Sequence, residues 1–226
     1  MAAFNVHSLF LSFALLLTGA INWAANAQYK AAGMLPYATS STGELYFLVG
    51  VSSVHGNKAS DFGGYKEKAD NDSAEITAAR EACEELIFIW DDTASFEKLL
   101  SERLRQGKNF DLRKQKSKTF ELALKKLRKH ARFSSHNGYQ MHFAKVSLDH
   151  HLPAKFLARK NYYNTHLPLS WNETVKLQWI QAKKIFQALD NRRGMAAPVI
   201  IDGCTLYEPF LQSLQAARSQ GIIAQL

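Results

Sequence analysis

The sequence predicts an α+β fold, and three observations carry that expectation. Short runs rich in β-branched and aromatic residues, bounded by turn clusters, read as strands. Stretches with apolar residues at helical spacing read as helices. The two kinds are interleaved, with no internal repeat, low-complexity tract or Pro/Gly-rich linker to divide them.

In chain order, residues 28–38 (QYKAAGMLPYA) read as a first strand with a proline near its end. Ser40-Ser41-Thr42-Gly43 is a turn cluster, and residues 44–51 (ELYFLVGV) are the hairpin partner. Residues 52–64 read as a polar loop ending in Asp61-Phe62-Gly63-Gly64, and residues 65–72 as a second, charged loop. Ser73 is placed to cap a helix from Ala74 to about Leu86, with Glu75 in the first turn, where the dipole favours a negative charge. Residues 86–90 (LIFIW) read as a short strand leaving that helix. Phe96, Leu99, Leu100 and Leu104 mark a helix over 93–106, and Phe120, Leu124 and Leu127 mark another further on. Residues 138–148 alternate as a strand, and a loop follows with Pro153, Tyr162, Tyr163 and Pro168. Residues 176–180 are a strand containing Trp179, 182–189 a helix, 198–204 a strand or turn, and 206–220 a final amphipathic helix.

The first 27 residues contain no Lys, Arg, Asp or Glu, and residues 9–21 form an apolar run. Ala25-Asn26-Ala27 follows as a small-x-small site. Residues 1–27 therefore read as a signal peptide, the run being shorter than the roughly 20 residues of a membrane span. An uncleaved anchor or a misplaced start codon are the alternatives. Cleavage would send residues 28–226, one domain with no remaining span, to the periplasm or outside; without cleavage the protein would be cytoplasmic. The formal charge of +8 and pI near 9.4 favour anionic partners such as nucleotides, RNA, polyphosphates or acidic lipid, without choosing among them. Residues 103–132 concentrate the basic charge, with Phe110, Phe120 and Phe133 available to stack on bases. A solvated helix face is the preferred reading of that run. Cys83 and Cys204 show no zinc spacing; export would permit a disulfide between them, and two separate buried thiols is the preferred reading. The histidines show no metal-ligand spacing either.

Glu81, Glu84 and Glu85 occupy positions i, i+3 and i+4, one face of a helix. Three carboxylates so placed repel unless a cation sits among them. Mg²⁺ suits such oxygen ligands, and can activate water and offset charge on a phosphate. An acidic triplet also fits a solvated helix face. The hairpin, the glycine pair and the capped helix that precede it narrow the choice.

This stretch resembles the signature of the Nudix hydrolases: Gly, five residues, Glu, seven residues, Arg-Glu-apolar-x-Glu-Glu-x-Gly-apolar. Arg80-Glu81-Ala82-Cys83-Glu84-Glu85 matches its second half without a gap, and Ala78, Ala79 and the Asp61-Phe62-Gly63-Gly64 entry are also typical. The resemblance implies an α/β/α sandwich, a mixed and largely antiparallel sheet between helices, here with a C-terminal helical extension. It implies Glu81 and Glu85 as the main ligands of Mg²⁺ (or Mn²⁺), with Glu84 as a third ligand or a base that orients water. Arg80 would fix the glutamates through an ion pair, and the carbonyl of Gly63 or Gly64 would join the metal shell. The reaction implied is hydrolysis of a phosphoanhydride bond in a nucleoside diphosphate linked to another moiety, a small nucleotide-type substrate whose binding residues are unknown. A catalytically silent nucleotide- or RNA-binding module is the alternative. Three departures stand out. Gly64 lies two residues too far upstream. Counting back from Arg80 places Asp72 at the first signature Glu, with Glu67 or Glu75 as substitutes. Ile87 stands where the late Gly belongs, followed by Phe88.

Overall fold

The computed structural model describes residues 29–130, 132–192 and 197–226. The expected leader lies outside the described residues. A seven-stranded sheet runs in the order β3 (Lys58–Ser60), β2 (Leu45–Ser52), β1 (Ala31–Thr39), β6 (Tyr139–Lys145), β5 (Phe133–His136). β4 (Phe62–Tyr65) pairs with β1, and β7 (Thr174–Gln181) pairs with β2. β1 and β6 are parallel, and the other pairings are antiparallel. Pro36 sits in β1 without an N–H to give. It falls where β1 has left β4 at Met34 and has not yet joined β2 at Tyr37, so the proline lies in a gap on that edge.

Period-2 alternation divides the core between the two faces of the sheet. Met34 and Leu48 point to one cluster, with α1 (Ala74–Glu85), α2 (Thr93–Gln106), α3 (Lys118–His130) and α4 (Leu152–Tyr163) supplying Ala78, Phe96, Phe120 and Phe156. Leu35, Phe47 and Val49 point to the other, against Ile185 of α5 (Ala182–Asp190) and Leu211 and Leu214 of α6 (Glu208–Ser219). The fold is the expected α+β sandwich. Cys83 and Cys204 are free and buried in different clusters, which keeps them apart. Among the described residues no helix is long and apolar enough to cross a membrane.

Four readings of local structure are corrected. Residues 52–64 are not all loop, because β3 and most of β4 lie within them; Lys-Ala-Ser and a glycine pair carry little strand preference, and pairing makes the strands. β5, preceding Tyr139, went unread for the same reason. The stretch after Pro153 begins as helix α4, with the proline in its first turn, where the missing N–H costs nothing. The strand or turn expected over 198–204 is both, a small hairpin of β8 (Ile200–Ile201) and β9 (Cys204–Thr205).

The fourth correction bears on the site. Residues 86–90 are a turn, not a strand. Phe88 N–H returns to Cys83 O at 3.0 Å, and Ile87 and Phe88 take left-handed φ values of 51° and 48°. Helices commonly end this way on glycine, so a β-branched side chain here is strained. Burial holds it: Leu86, Ile87 and Phe88 are all fully buried. The apolar run marks a buried helix exit and not a strand. Arg159 of α4 completes the exit, donating to the carbonyls of Ile87 (3.2 Å), Phe88 (2.5 Å) and Asp91 (2.7 Å). Replacing Arg159 by Met should therefore leave these carbonyls short of donors and cost about 2–3 kcal/mol of stability. Urea titration measures this, and a loss below about 0.5 kcal/mol would mean that water replaces the guanidinium. Asp91 anchors the next helices: its carboxylate accepts from Ser117 Oγ, Lys118 N and Thr119 N at 3.0, 2.8 and 3.1 Å, fixing the start of α3.

Candidate active site

Ser73 caps α1 as expected, its hydroxyl accepting from Ile76 N at 3.3 Å. The helix then presents Arg80, Glu81 and Glu85 toward β4, while Glu84 borders a cavity on the other side of Arg80. Gly33 and Gly63 are opposite one another in the β1–β4 ladder. A Cβ on Gly63 would lie 2.1 Å from the Tyr139 hydroxyl. A Cβ on Gly64 would lie 2.5–2.8 Å from the carboxylate atoms of Glu81. The glycine pair is thus a requirement of packing, and Gly64 leaves a cradle filled by the Glu81 carboxylate.

Arg80 is the hub. Its Nε and Nη2 donate to the two oxygens of Asp70 at 3.0 Å each, its Nη1 to Glu81 Oε1 at 2.8 Å, and its Nη2 also to Tyr65 O at 2.9 Å. Asp70 also accepts from Thr77 Oγ1 and from Glu67 N, both at 2.8 Å. The acid that answers the signature's first Glu is therefore Asp70, not Asp72. Gly64 and Asp70 keep the signature's five-residue spacing, so the two extra residues fall after the acid. They are Asn71 and Asp72, which bulge out with left-handed φ of 50° and 54°. Asp72 is exposed and pairs with Lys66 at 2.6 Å. Counting from Arg80 alone could not locate a bulge; asking which acid the arginine could reach would have.

Glu85 is fixed by two donors, Gly63 N–H to Oε1 at 2.9 Å and Thr174 Oγ1 to Oε2 at 2.9 Å. Asp61, below the glycine pair, accepts from Tyr139 Oη at 2.5 Å. Thr174 and Tyr139 were not among the sequence candidates, because both are ordinary strand residues that only the sheet topology brings here. A cavity of about 330 Å³ opens beside Glu84, and a second of about 460 Å³ lies beyond Gly63 and Gly64, with Asp61, Tyr139 and the stacked rings of His55 and Tyr207 in its wall.

Burial pushes the carboxyls upward, Glu81 to about 7 despite Arg80, and Glu84 to about 8 with help from Glu81. Glu85 is pushed well up by burial and by Glu81. Asp61 rises to about 7 through burial, against the Tyr139 hydrogen bond. An acid whose folded pKa is raised binds more protons folded than unfolded between the two values. Its stabilising contribution is complete below about 4.5 and is lost as pH rises toward 8. In EDTA, the stability of Glu84→Gln relative to the parent should therefore increase from pH 5 to pH 8. Paired thermal melts measure this, and a pH-independent difference would show that Glu84 is well solvated.

The carboxylates share a neighbourhood without being gathered into one shell: among the described residues no group of three or more His, Cys, Asp or Glu is arranged to hold a metal ion. Glu85 is turned to Gly63 and Thr174, and Glu81 to Arg80. The chemistry of the donor set nonetheless fits a hard cation: two buried carboxylates and a half-buried one, mutual repulsion, and the close approach of Gly64 to Glu81.

No family model matches the chain, and no curated protein matches it. Solved structures similar to this chain include two hydrolases. The Nudix hydrolase RenU from M. smegmatis is 16% identical, with 88% of each chain covered and a TM-score of 0.39. A C. elegans Ap4A hydrolase is 14% identical, covering 85% of this chain and 98% of its own, with a TM-score of 0.37. The Nudix resemblance of this chain rests on the box itself: glycine pair, Asp70–Arg80 lock, and Glu81, Glu84 and Glu85 on one capped helix.

Proposed function

We propose that this chain is a metal-dependent hydrolase of phosphoanhydride bonds in nucleoside-diphosphate-type substrates. The observation behind this reading is the Arg80 hub, which holds Glu81 against Gly64 while two further donors hold Glu85. Such a preset array has no role in a folded core, where buried like charges only cost stability. A divalent cation, Mg²⁺ or Mn²⁺, held by Glu81, Glu84, Glu85 and the Gly64 carbonyl, would acidify a water and offset charge on the pyrophosphate. Arg80 keeps the Glu81 carboxylate oriented. Gly63 N–H and the Thr174 hydroxyl keep Glu85 from rotating. Glu84 borders the 330 Å³ cavity, placed to serve either as that third carboxylate ligand or as the base that orients the attacking water.

A second reading, a silent nucleotide- or RNA-binding module, draws on one observation: the three carboxylates are not drawn together. The decisive measurement is turnover of a panel of nucleoside diphosphates with varied attached groups, in Mg²⁺, Mn²⁺ and EDTA. The hydrolase reading expects two phosphate-bearing products and complete loss in EDTA. Substrate binding with no product in either metal would establish the silent module instead. Lys125, Arg128 and Lys129 are exposed on α3 and Lys126 is half-buried, consistent with a solvated face for that part of the basic run.

A further inference from the structure

The wall that faces Glu84 is built outside the box, by the segment that links α2 to α3. Arg103, at the end of α2, lines the 330 Å³ cavity with Phe110, Arg113 and Phe120, opposite Arg80 and Glu84. Three guanidinium groups therefore reach one small polar space. Their donors are differently engaged. Arg80 is taken up by Asp70, Glu81 and Tyr65 O. Arg113 is closed on Asp111, with Nε and Nη2 donating to the two carboxylate oxygens at 3.0 and 2.9 Å. Arg103 donates Nη1 to Gly107 O and lies over the Phe110 ring at 5.7 Å, while its Nε is buried without a hydrogen-bond partner.

A buried N–H of a cation with no acceptor is unfavourable and calls for one. The Phe110 ring and the turn at Gly107 hold the guanidinium in place, so little side-chain freedom is lost when an acceptor arrives. An anion in this cavity would meet Arg103 beside Glu84, the one box glutamate in its lining, with Glu67, Asp70 and Asp111 elsewhere in the wall. The volume lies at the small end of the range for small-molecule pockets, about 300–1,000 Å³. It has room for a diphosphate, with the attached groups outside.

We propose that Arg103 binds a phosphate group of the substrate in this cavity, making the 103–120 segment the phosphate-recognition wall of the site. This rests on the hydrolase reading of the glutamates. It separates Arg103 from the rest of the basic run: Lys125 and Lys129 of α3 are exposed, whereas Arg103 lines the cavity beside Glu84.

The test uses the full chain with Mg²⁺ and the non-hydrolysable probe methylenediphosphonate, read by calorimetry. Arg103→Gln should weaken binding about tenfold or more. Arg103→Lys should recover part of the loss, since it keeps the charge without the fork. Lys129→Gln should stay within about twofold, because its side chain is exposed on α3 and lines no cavity of the site. A folded Arg103→Gln chain that binds the probe like the parent overturns the proposal, and so does a parent that does not bind it. Turnover is read separately. Hydrolysis with an unchanged KM in Arg103→Gln would remove Arg103 and leave the hydrolase reading standing. Probe binding that depends on Arg103 with no turnover would keep the subsite and remove the hydrolase reading.

Discussion

Replacing Glu85 by Gln should lower turnover by about a thousandfold or more while leaving the fold as stable as the parent. The two halves of this expectation have separate causes. The carboxylate is fixed by Gly63 N–H and the Thr174 hydroxyl. Gln retains an oxygen to accept from Gly63, and the Thr174 hydroxyl can turn to accept from the new amide N–H. Removing a carboxyl that burial holds well above its usual range also removes a charge penalty at neutral pH. Metal-free stability should thus be unchanged or slightly raised. What Gln lacks is the anionic oxygen that a cation or an attacking water needs. Circular dichroism and turnover, measured on one preparation, check both halves. Wild-type activity in a folded Glu85→Gln chain would remove Glu85 from the chemistry, and a collapsed fold would show that its role is structural.

The α+β class, the capped helix over 74–85 and the Arg-Glu-x-x-Glu-Glu face were legible because each is written in local periodicity or in one cap. What was not legible depends on partners distant in sequence. β4 is a strand only because β1 runs beside it, and Gly33 and Gly63 make sense only with Tyr139 between them. Thr174 approaches Glu85 from 89 positions away. The run 86–90 misled because an apolar stretch reports burial, and burial was satisfied by a turn. Ile87 occupies the signature's glycine position in the backbone conformation a glycine would adopt, so the departure in sequence is not a departure in structure. The Asp72 assignment failed for a related reason: a count along the chain assumes no bulge, and Asn71 and Asp72 form one.

That correction yields the second large effect. Asp70→Ala should destabilise the chain by about 3–5 kcal/mol, whereas Asp72→Ala should cost no more than about 1 kcal/mol. The Asp70 and Arg80 side chains are 1% and 7% exposed, and they meet through two parallel hydrogen bonds. Removing the carboxylate strands a guanidinium in a low-dielectric setting and releases Glu67 N–H and Thr77 Oγ1 as well. Asp72, whose side chain is 81% exposed, makes its ion pair in water, where screening leaves little to lose. The structural cost should be accompanied by a catalytic one, because Arg80 also carries Glu81, and an arginine freed from Asp70 can draw that glutamate away from Gly64. The double variant Asp70→Leu with Arg80→Met should be less damaged than the sum of the two single changes, since neither Asp70 nor Arg80 is left buried without the other. Urea unfolding of the parent, Asp70→Ala, Asp72→Ala, Asp70→Leu, Arg80→Met and the double variant gives both comparisons. Equal losses at positions 70 and 72 would mean that the register of the loop differs from the one described, and would return the first acid of the box to the place that counting assigns it.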